Sequence, residues 1–259
     1  DSTGDWSSDV CSSDLCKIIT QIQDRFLKSP IYNDKELRTY DEMLVSWFEA
    51  LPHFLRLPDP NAPGLQDARL VLRWRYQSIR ILLHRPLILD TVLRKIQFHH
   101  LSAPEQGIIS KCREIAAESI HSIQSEWLPN KICCWNAIWF LFQACLIPLM
   151  ALAIEPTGSD DYQSWYSQVR IGIAVCGNMS ELSPAGQRTG AFLERLLLAS
   201  TSSSSEDSQC EVGAADQAPL HTTTEPFAAD LDVEHGIGQD SAQYYTSFGF
   251  SNLDDQLLG

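Results

Sequence analysis

The chain has 259 residues, 44% hydrophobic, 20% charged and 9% aromatic, with a formal net charge of −14 at pH 7, a composition ordinary for one large soluble domain or two small ones. The acidity sits at the ends: 1–15 holds four acids and 200–259 eleven, neither with any Lys or Arg, which leaves 18 acids against 19 bases between Cys16 and Ala199. A near-neutral body excludes reading the partners of the folded part from the overall charge.

The eight cysteines form no C-x-x-C pair and stand at no metal-ligand spacing from a histidine. Cys112, Cys133, Cys145 and Cys176 have apolar neighbours at helical spacing and read as reduced core thiols of an intracellular protein rather than as a disulfide framework. The first fifteen residues carry neither a basic nor an apolar signal region.

Taken in order, the chain opens on a stretch of odd character. Asp5 to Leu15, DWSSDVCSSDL, matches one reading frame of a common sequencing-library adapter. Residues 1–15 are therefore set aside as an artefact, the alternative being a polar disordered leader. Ile18, Ile19, Ile22, Phe26 and Leu27 then predict a short amphipathic helix ending before Pro30. Leu37, Tyr40, Leu44, Trp47 and Leu51 predict a second, capped by Asp34 and broken at Pro52, with one further turn over His53 to Leu57. PDPNAPG reads as a loop.

Ala68, Leu72, Tyr76, Ile79 and Leu83 predict the buried stripe of a central helix, expected to meet the uncharged segment 131–154, with Arg69, Arg73, Gln77, Arg80 and His84 as the solvent-facing stripe beside it. Pro86 disfavours the α conformation at Arg85, so the helix is expected to end at LHRP, with Leu87 to Leu89 extended. Ser102 and Glu105 form a capping box for a helix that runs through Ile108, Cys112, Ile115, Ser119, Ile123 and Trp127.

Between Lys131 and Glu155 no residue is charged. Such a length spans a bilayer, yet Asn136, Gln143 and Pro148 inside it and the amphipathic helices beside it favour a core helix covered by its neighbours, with no membrane partner. Membrane association through 131–154 is the alternative. Ser159 caps a helix with Tyr162, Trp165, Val169, Ile173 and Cys176 inward, and Ser183-Pro184 opens the last, with Phe192, Leu193, Leu196 and Leu197 inward. No segment alternates with period two, so the fold class is all-α over 16–199.

Beyond Ala199 the low-complexity run STSSSSEDS opens an acidic tail, 200–259, expected to be disordered because it offers too little apolar surface to offset its ordering entropy. Phe227 and Leu231, and then Tyr244, Tyr245, Phe248, Phe250, Leu253, Leu257 and Leu258, sit among its acids. Acids that keep aromatics exposed suit docking into a coactivator groove; an inert solubilising tail is the alternative.

Catalytic signatures are missing. The sequence has no Gly-rich phosphate loop, G-x-S-x-G, H-E-x-x-H or recognisable carboxylate pair, and the neighbours of Cys133-Cys134 supply nothing to activate a thiol, so no enzyme, catalytic residue or cofactor site is expected. Arg69, Arg73, Arg75, Arg80, Arg85, Arg94 and Lys95 form a local basic surplus that a nucleic acid could use, but a solvated face paired with acids accounts for it more simply.

W-x-x-x-L-P from Trp47 to Pro52, I-L-L-H-R-P from Ile81 to Pro86 and L-F-Q-A from Leu141 to Ala144 resemble the second half of the regulatory, or middle homology, domain of fungal zinc-cluster transcription factors. The resemblance covers about 37–155 well and 155–199 loosely. It implies a nuclear regulator of RNA polymerase II transcription whose all-α region gates activation, with coactivators and a small-molecule inducer as partners and a pocket between the Ala68 and Lys131 helices for the inducer. Homodimerisation is left open. The family binds DNA through a six-cysteine, two-zinc cluster beginning C-x2-C-x6-C; nothing here matches it, so zinc and DNA belong to a missing N-terminal part. A soluble all-α ligand- or protein-binding domain unconnected with transcription is the other reading.

Overall fold

The computed structural model describes residues 8–28, 33–57, 63–155 and 159–206, all within one compact unit, Asp1–Glu211. Of these residues 87% are helical and none is in a strand, so the chain is all-α.

Helix α1, Ser8–Lys28, begins inside the stretch set aside as an artefact, eight residues before the expected start at Cys16. Leu15, Ile19 and Ile22 step by four and three and are all buried. Arg25, in its last turn, donates from Nε and Nη2 to the Glu36 carboxylate at 3.2 and 2.7 Å. That bond holds the Glu36 carboxyl below its ordinary value. Glu36 also closes the start of α2, Asp34–Ala50, where Asn33 rather than Asp34 is the cap: its Oδ1 accepts the Glu36 N–H at 2.8 Å. Pro52 separates α2 from the single turn α3, His53–Arg56, as expected.

Helix α4, Gln66–Leu93, corrects the sequence reading at three points. It does not end at LHRP but runs straight through Pro86 for seven more residues. An interior proline costs about 3 kcal/mol. Packing offsets it: Ile88 and Thr91 beyond the proline are both 2% exposed, and the Thr91 hydroxyl bonds the Leu87 carbonyl at 2.8 Å. The helix stops in a Schellman motif, with the Lys95 N–H on the Val92 carbonyl and the Ile96 N–H on that of Thr91, and Lys95 takes the left-handed position (φ 52°) that glycine usually fills.

The second correction concerns the apolar stripe. Tyr76, Ile79 and Leu83 do not face the uncharged segment; they close a small core with α1, α2 and α3, in which Leu37, Leu44, Leu51 and Leu55 are buried. Leu70, Trp74, Ile81 and Ile88, on the other side of α4, enter the larger core. The third concerns the polar stripe. Arg69, Gln77, Arg80 and His84 are buried rather than solvent-facing, because α4 has α2 and α3 on one side and α5 and α6 on the other.

The Glu105 carboxylate accepts both the N–H and the hydroxyl of Ser102 at the start of α5, Ala103–Glu126. Asn130 caps α6, Lys131–Leu152, by accepting the Cys133 N–H at 2.8 Å. Helix α6 is the hub of the larger core, packed against α4, α5, α7 (Asp160–Asn178) and α8 (Pro184–Glu206). It is also the one helix among the described residues long and apolar enough to cross a membrane, and 67% of its apolar window is buried in protein. A core helix passes the same test of length.

Ser159 caps α7 as expected, accepting the Tyr162 N–H at 3.1 Å. Helix α8 carries on to Glu206, seven residues into the stretch assigned to the tail, with the Ser200 and Thr201 hydroxyls bonded to carbonyls one turn back. The remainder of the expected tail lies outside the described residues.

Candidate functional site

The inducer pocket was expected between α4 and α6, and there the two helices pack directly against each other. Trp74 and Ile81 of α4 share one core with Ala137, Leu141 and Ala144 of α6, each of the five fully buried. Where the interface turns polar it is bonded: Arg85 donates from Nη1 to Gln143 Oε1 at 3.0 Å, and Asn130 Nδ2 donates to both Asp67 oxygens at 3.2 and 3.0 Å.

The arginines of the basic stripe are likewise committed to protein. Arg80 grips Asp41 of α2 with Nε at 2.6 Å and Nη2 at 2.7 Å, and donates from Nη1 to the Tyr76 hydroxyl at 3.1 Å. Arg73 holds Glu126 of α5 at 2.6 Å, and with Trp74 Nε1 it bonds the Ser122 hydroxyl at 2.9 Å. Arg69 reaches the Phe54 carbonyl at 3.3 Å. Such bidentate and multiply bonded guanidinium groups fix the position of one helix on another. Four of the residues that suggested a nucleic-acid face, Arg69, Arg73, Arg80 and Arg85, thus tie helices together.

Five of the thiols have little reactivity to offer. Burial pushes Cys112 and Cys176 up to about 12, and raises Cys133, Cys134 and Cys145 as well, so all five are protonated at neutral pH and act as small core side chains. Among the described residues no three His, Cys, Asp or Glu side chains are grouped to hold a metal ion.

Among the described residues, α6 and α8 line a groove of about 310 Å³. Helix α6 supplies Trp135, Ile138, Trp139 and Phe142; helix α8 supplies Ala185, Arg188, Thr189 and Phe192. Both sets step i, i+3, i+4, i+7, so each helix lends one continuous stripe and the groove runs along them. Ile138 is buried at its floor, while Trp135 (63%) and Phe192 (49%) stand exposed on its rims. Phe142 and Phe192 touch across it with ring centroids 6.0 Å apart.

Phe192 was expected to point inward and does not. The face of α8 that turns inward is one the sequence marks with Gly186 and Gly190, a G-x-x-x-G step. A Cβ at Gly186 would come within 2.7 Å of the Cys176 carbonyl oxygen, and one at Gly190 within 3.3 Å of the Cys176 Cβ. That close approach to the end of α7 rolls Phe192 outward. The small-residue step, weighed against the apolar positions, was the signal that could have found the groove.

The expected coactivator-binding residues Phe227, Leu231, Tyr244, Tyr245, Phe248, Phe250, Leu253, Leu257 and Leu258 lie outside the described residues. No family model, no curated protein and no solved structure matches the chain.

Proposed function

We propose that this chain is the regulatory portion of a nuclear, fungal-type transcription regulator, with an acidic tail that recruits coactivators. The observation that carries the reading is the convergence on α4 of the three sequence motifs behind the resemblance. Arg85 of ILLHRP bonds Gln143 of LFQA at 3.0 Å, and Trp47 of the W-x-x-x-L-P motif packs against Tyr76 with ring centroids 6.3 Å apart. Segments almost a hundred residues apart are therefore joined through one helix, which supports reading them as parts of a single domain signature. DNA contact and zinc fall to a six-cysteine cluster outside this chain, and the chain's own part is to gate and recruit rather than to catalyse.

Fusing 200–259 to a heterologous DNA-binding domain tests the recruiting role: reporter output is expected several-fold above the empty control, and output equal to that control removes it. The aromatic groove between α6 and α8 favours a second reading, an all-α protein-binding domain unconnected with transcription. A complete upstream coding exon without a six-cysteine cluster would shift the balance to it.

A further inference from the structure

Helices α6 and α8 run side by side in the same direction. Both start near Met179: the Cys134 thiol donates to its carbonyl at 3.8 Å, and a Cβ at Gly186 would stand 3.2 Å from its carbonyl carbon. Further along the two helices, Phe142 meets Phe192. From Trp135 to Phe142 the groove therefore extends roughly 10 Å at about 1.5 Å per residue, two turns of helix. Trp135 and Phe192 are its exposed apolar anchors, and the exposed Ile132 continues the stripe one turn before Trp135. Trp139 lines the space between them and already has an interaction of its own.

The charge around this apolar centre is mostly of one sign. In 131–152 and 184–200 the bases are Lys131, Arg188 and Arg195, and the acid is Glu194, which Arg170 of α7 holds at 3.6 Å. Lys131 lies one turn before Trp135, Arg188 lines the groove and Arg195 follows Phe192 by three residues; all three are exposed and form no ion pair among the described residues. Glu181, three residues before α8, is not part of the lining.

That distribution selects the occupant. A second copy joined across this face by a two-fold axis would bring the same cations together. A strand would need a sheet edge to extend, and no described residue is in a strand. A bilayer surface is flat, whereas the apolar side chains here line a cleft between two helices. Such a cleft fits a third helix, with its apolar residues at i, i+3 or i+4 and i+7 laid inside and acids on its flanks. We infer that the α6–α8 groove docks an acidic amphipathic helix of a partner protein, its apolar side chains on Trp135, Ile138 and Phe192 and its carboxylates against Lys131, Arg188 and Arg195. Docking of this kind is independent of the transcriptional reading: the reporter assay on 200–259 can fail while the groove binds, and the upstream exon decides between the two readings of the chain whether the groove binds or not.

The probe is a fluorescein-labelled synthetic peptide with leucine at i, i+3, i+4 and i+7 and glutamate along both flanks, titrated with the full chain and read by anisotropy; its twin carries lysine for every glutamate. Saturable binding of the glutamate peptide, weakened by added salt, and far weaker binding of the lysine twin are expected. Trp135→Ser and Arg188→Glu should each weaken the glutamate peptide about fivefold, the scale of one lost surface contact. Both positions are exposed, and an unchanged thermal midpoint shows that the fold is intact. Arg188→Glu should also strengthen the lysine twin, which neither a damaged fold nor general stickiness would do. Equal binding of the two peptides, or binding indifferent to both substitutions, overturns the docking of an acidic helix. Self-association that Trp135→Ser abolishes, with no peptide bound, assigns the face to a second copy and overturns it as well. Co-pelleting with phosphatidylserine vesicles that Arg188→Glu abolishes, again with no peptide bound, does the same in favour of a lipid surface.

Discussion

Helices α4 and α6 occupy equivalent positions, each packed against four others, and are made of opposite materials. After its first residue α6 carries no charge at all, whereas α4 holds five arginines between Arg69 and Arg85. Both are buried. The difference shows that burial here is imposed by the number of neighbours, while composition decides how those neighbours are held. Helix α6 is held mainly by close packing, with Gln143 as its polar tie to α4. Helix α4 is held by guanidinium groups that bond at fixed points, Asp41 on α2, the Phe54 carbonyl on α3, Ser122 and Glu126 on α5, and so determines the register of both cores at once.

The largest effect expected from this contrast is at Arg80. Replacing it by alanine leaves the Asp41 carboxylate and the Tyr76 hydroxyl without their shared donor. The pair's side chains are 10% and 18% exposed, which places the cost of breaking it at the low end of the buried range, about 3 kcal/mol. Urea denaturation of Arg80→Ala reads this directly. The double variant Arg80→Met with Asp41→Leu should recover most of it, because what destabilises is the stranded charge and not the loss of the pair. A cost for Arg80→Ala below about 1 kcal/mol, the ordinary figure for a surface pair, would break the comparison by making the polar stripe of α4 mere solvated decoration.

A smaller effect is expected on the α6 side, and of a different kind. Gly172 on α7 lies where a Cβ would overlap the Cys145 sulfur of α6. Gly172→Ala should therefore cost about 2 kcal/mol by overpacking, with the fold and its register kept. Cys145→Ala frees that space, so in its background the penalty at Gly172 should largely disappear. A thermodynamic cycle of the two substitutions measures the coupling; independent, additive costs would mean that the α6–α7 contact is not set by volume.

How much of this was legible in the sequence follows from the same distinction. Positions governed by local rules could be read: the Ser102–Glu105 box, the break at Pro52, the Ser159 cap and the lack of any period-two alternation. So could α6, since an uncharged helix among amphipathic ones has few places to go. Helix α4 was misread because its evidence was non-local. The stripe Arg69, Arg73, Gln77, Arg80 and His84 has the spacing of a solvated face, and only Asp41, Glu126 and the Phe54 carbonyl, which are far away in sequence, make it a buried one. Pro86 looked like a terminus for the same reason, because the packing that carries the helix past it is not written within one turn of it. At the α6–α8 groove Phe192 was given to the core, and its true direction depends on Gly186 and Gly190 meeting α7.

The least of the three effects, a single-proton one, separates the two helices by pH. His84 of α4 is 2% exposed, and its Nδ1 lies 2.7 Å from the Arg80 carbonyl, which it bonds as the donating tautomer. Burial is the leading cause that lowers its pKa below 6.5; the Arg80 carbonyl and Asp41 act the other way, and the charges of Arg80 and Lys111 add to the lowering. A histidine whose folded pKa is depressed binds fewer protons folded than unfolded as the pH drops below 6.5. The stability it supports is complete above that value and is lost as the pH falls through the window down to the folded pKa. The thiols of α6 are all shifted upward, away from that window. Urea midpoints at about pH 8 and pH 5 should differ less in His84→Gln than in the natural chain, because the glutamine keeps a donor for the Arg80 carbonyl without a proton to gain. An unchanged difference would mean that the acid sensitivity arises elsewhere than at His84, and that burying this histidine does not make α4 the pH-responsive helix.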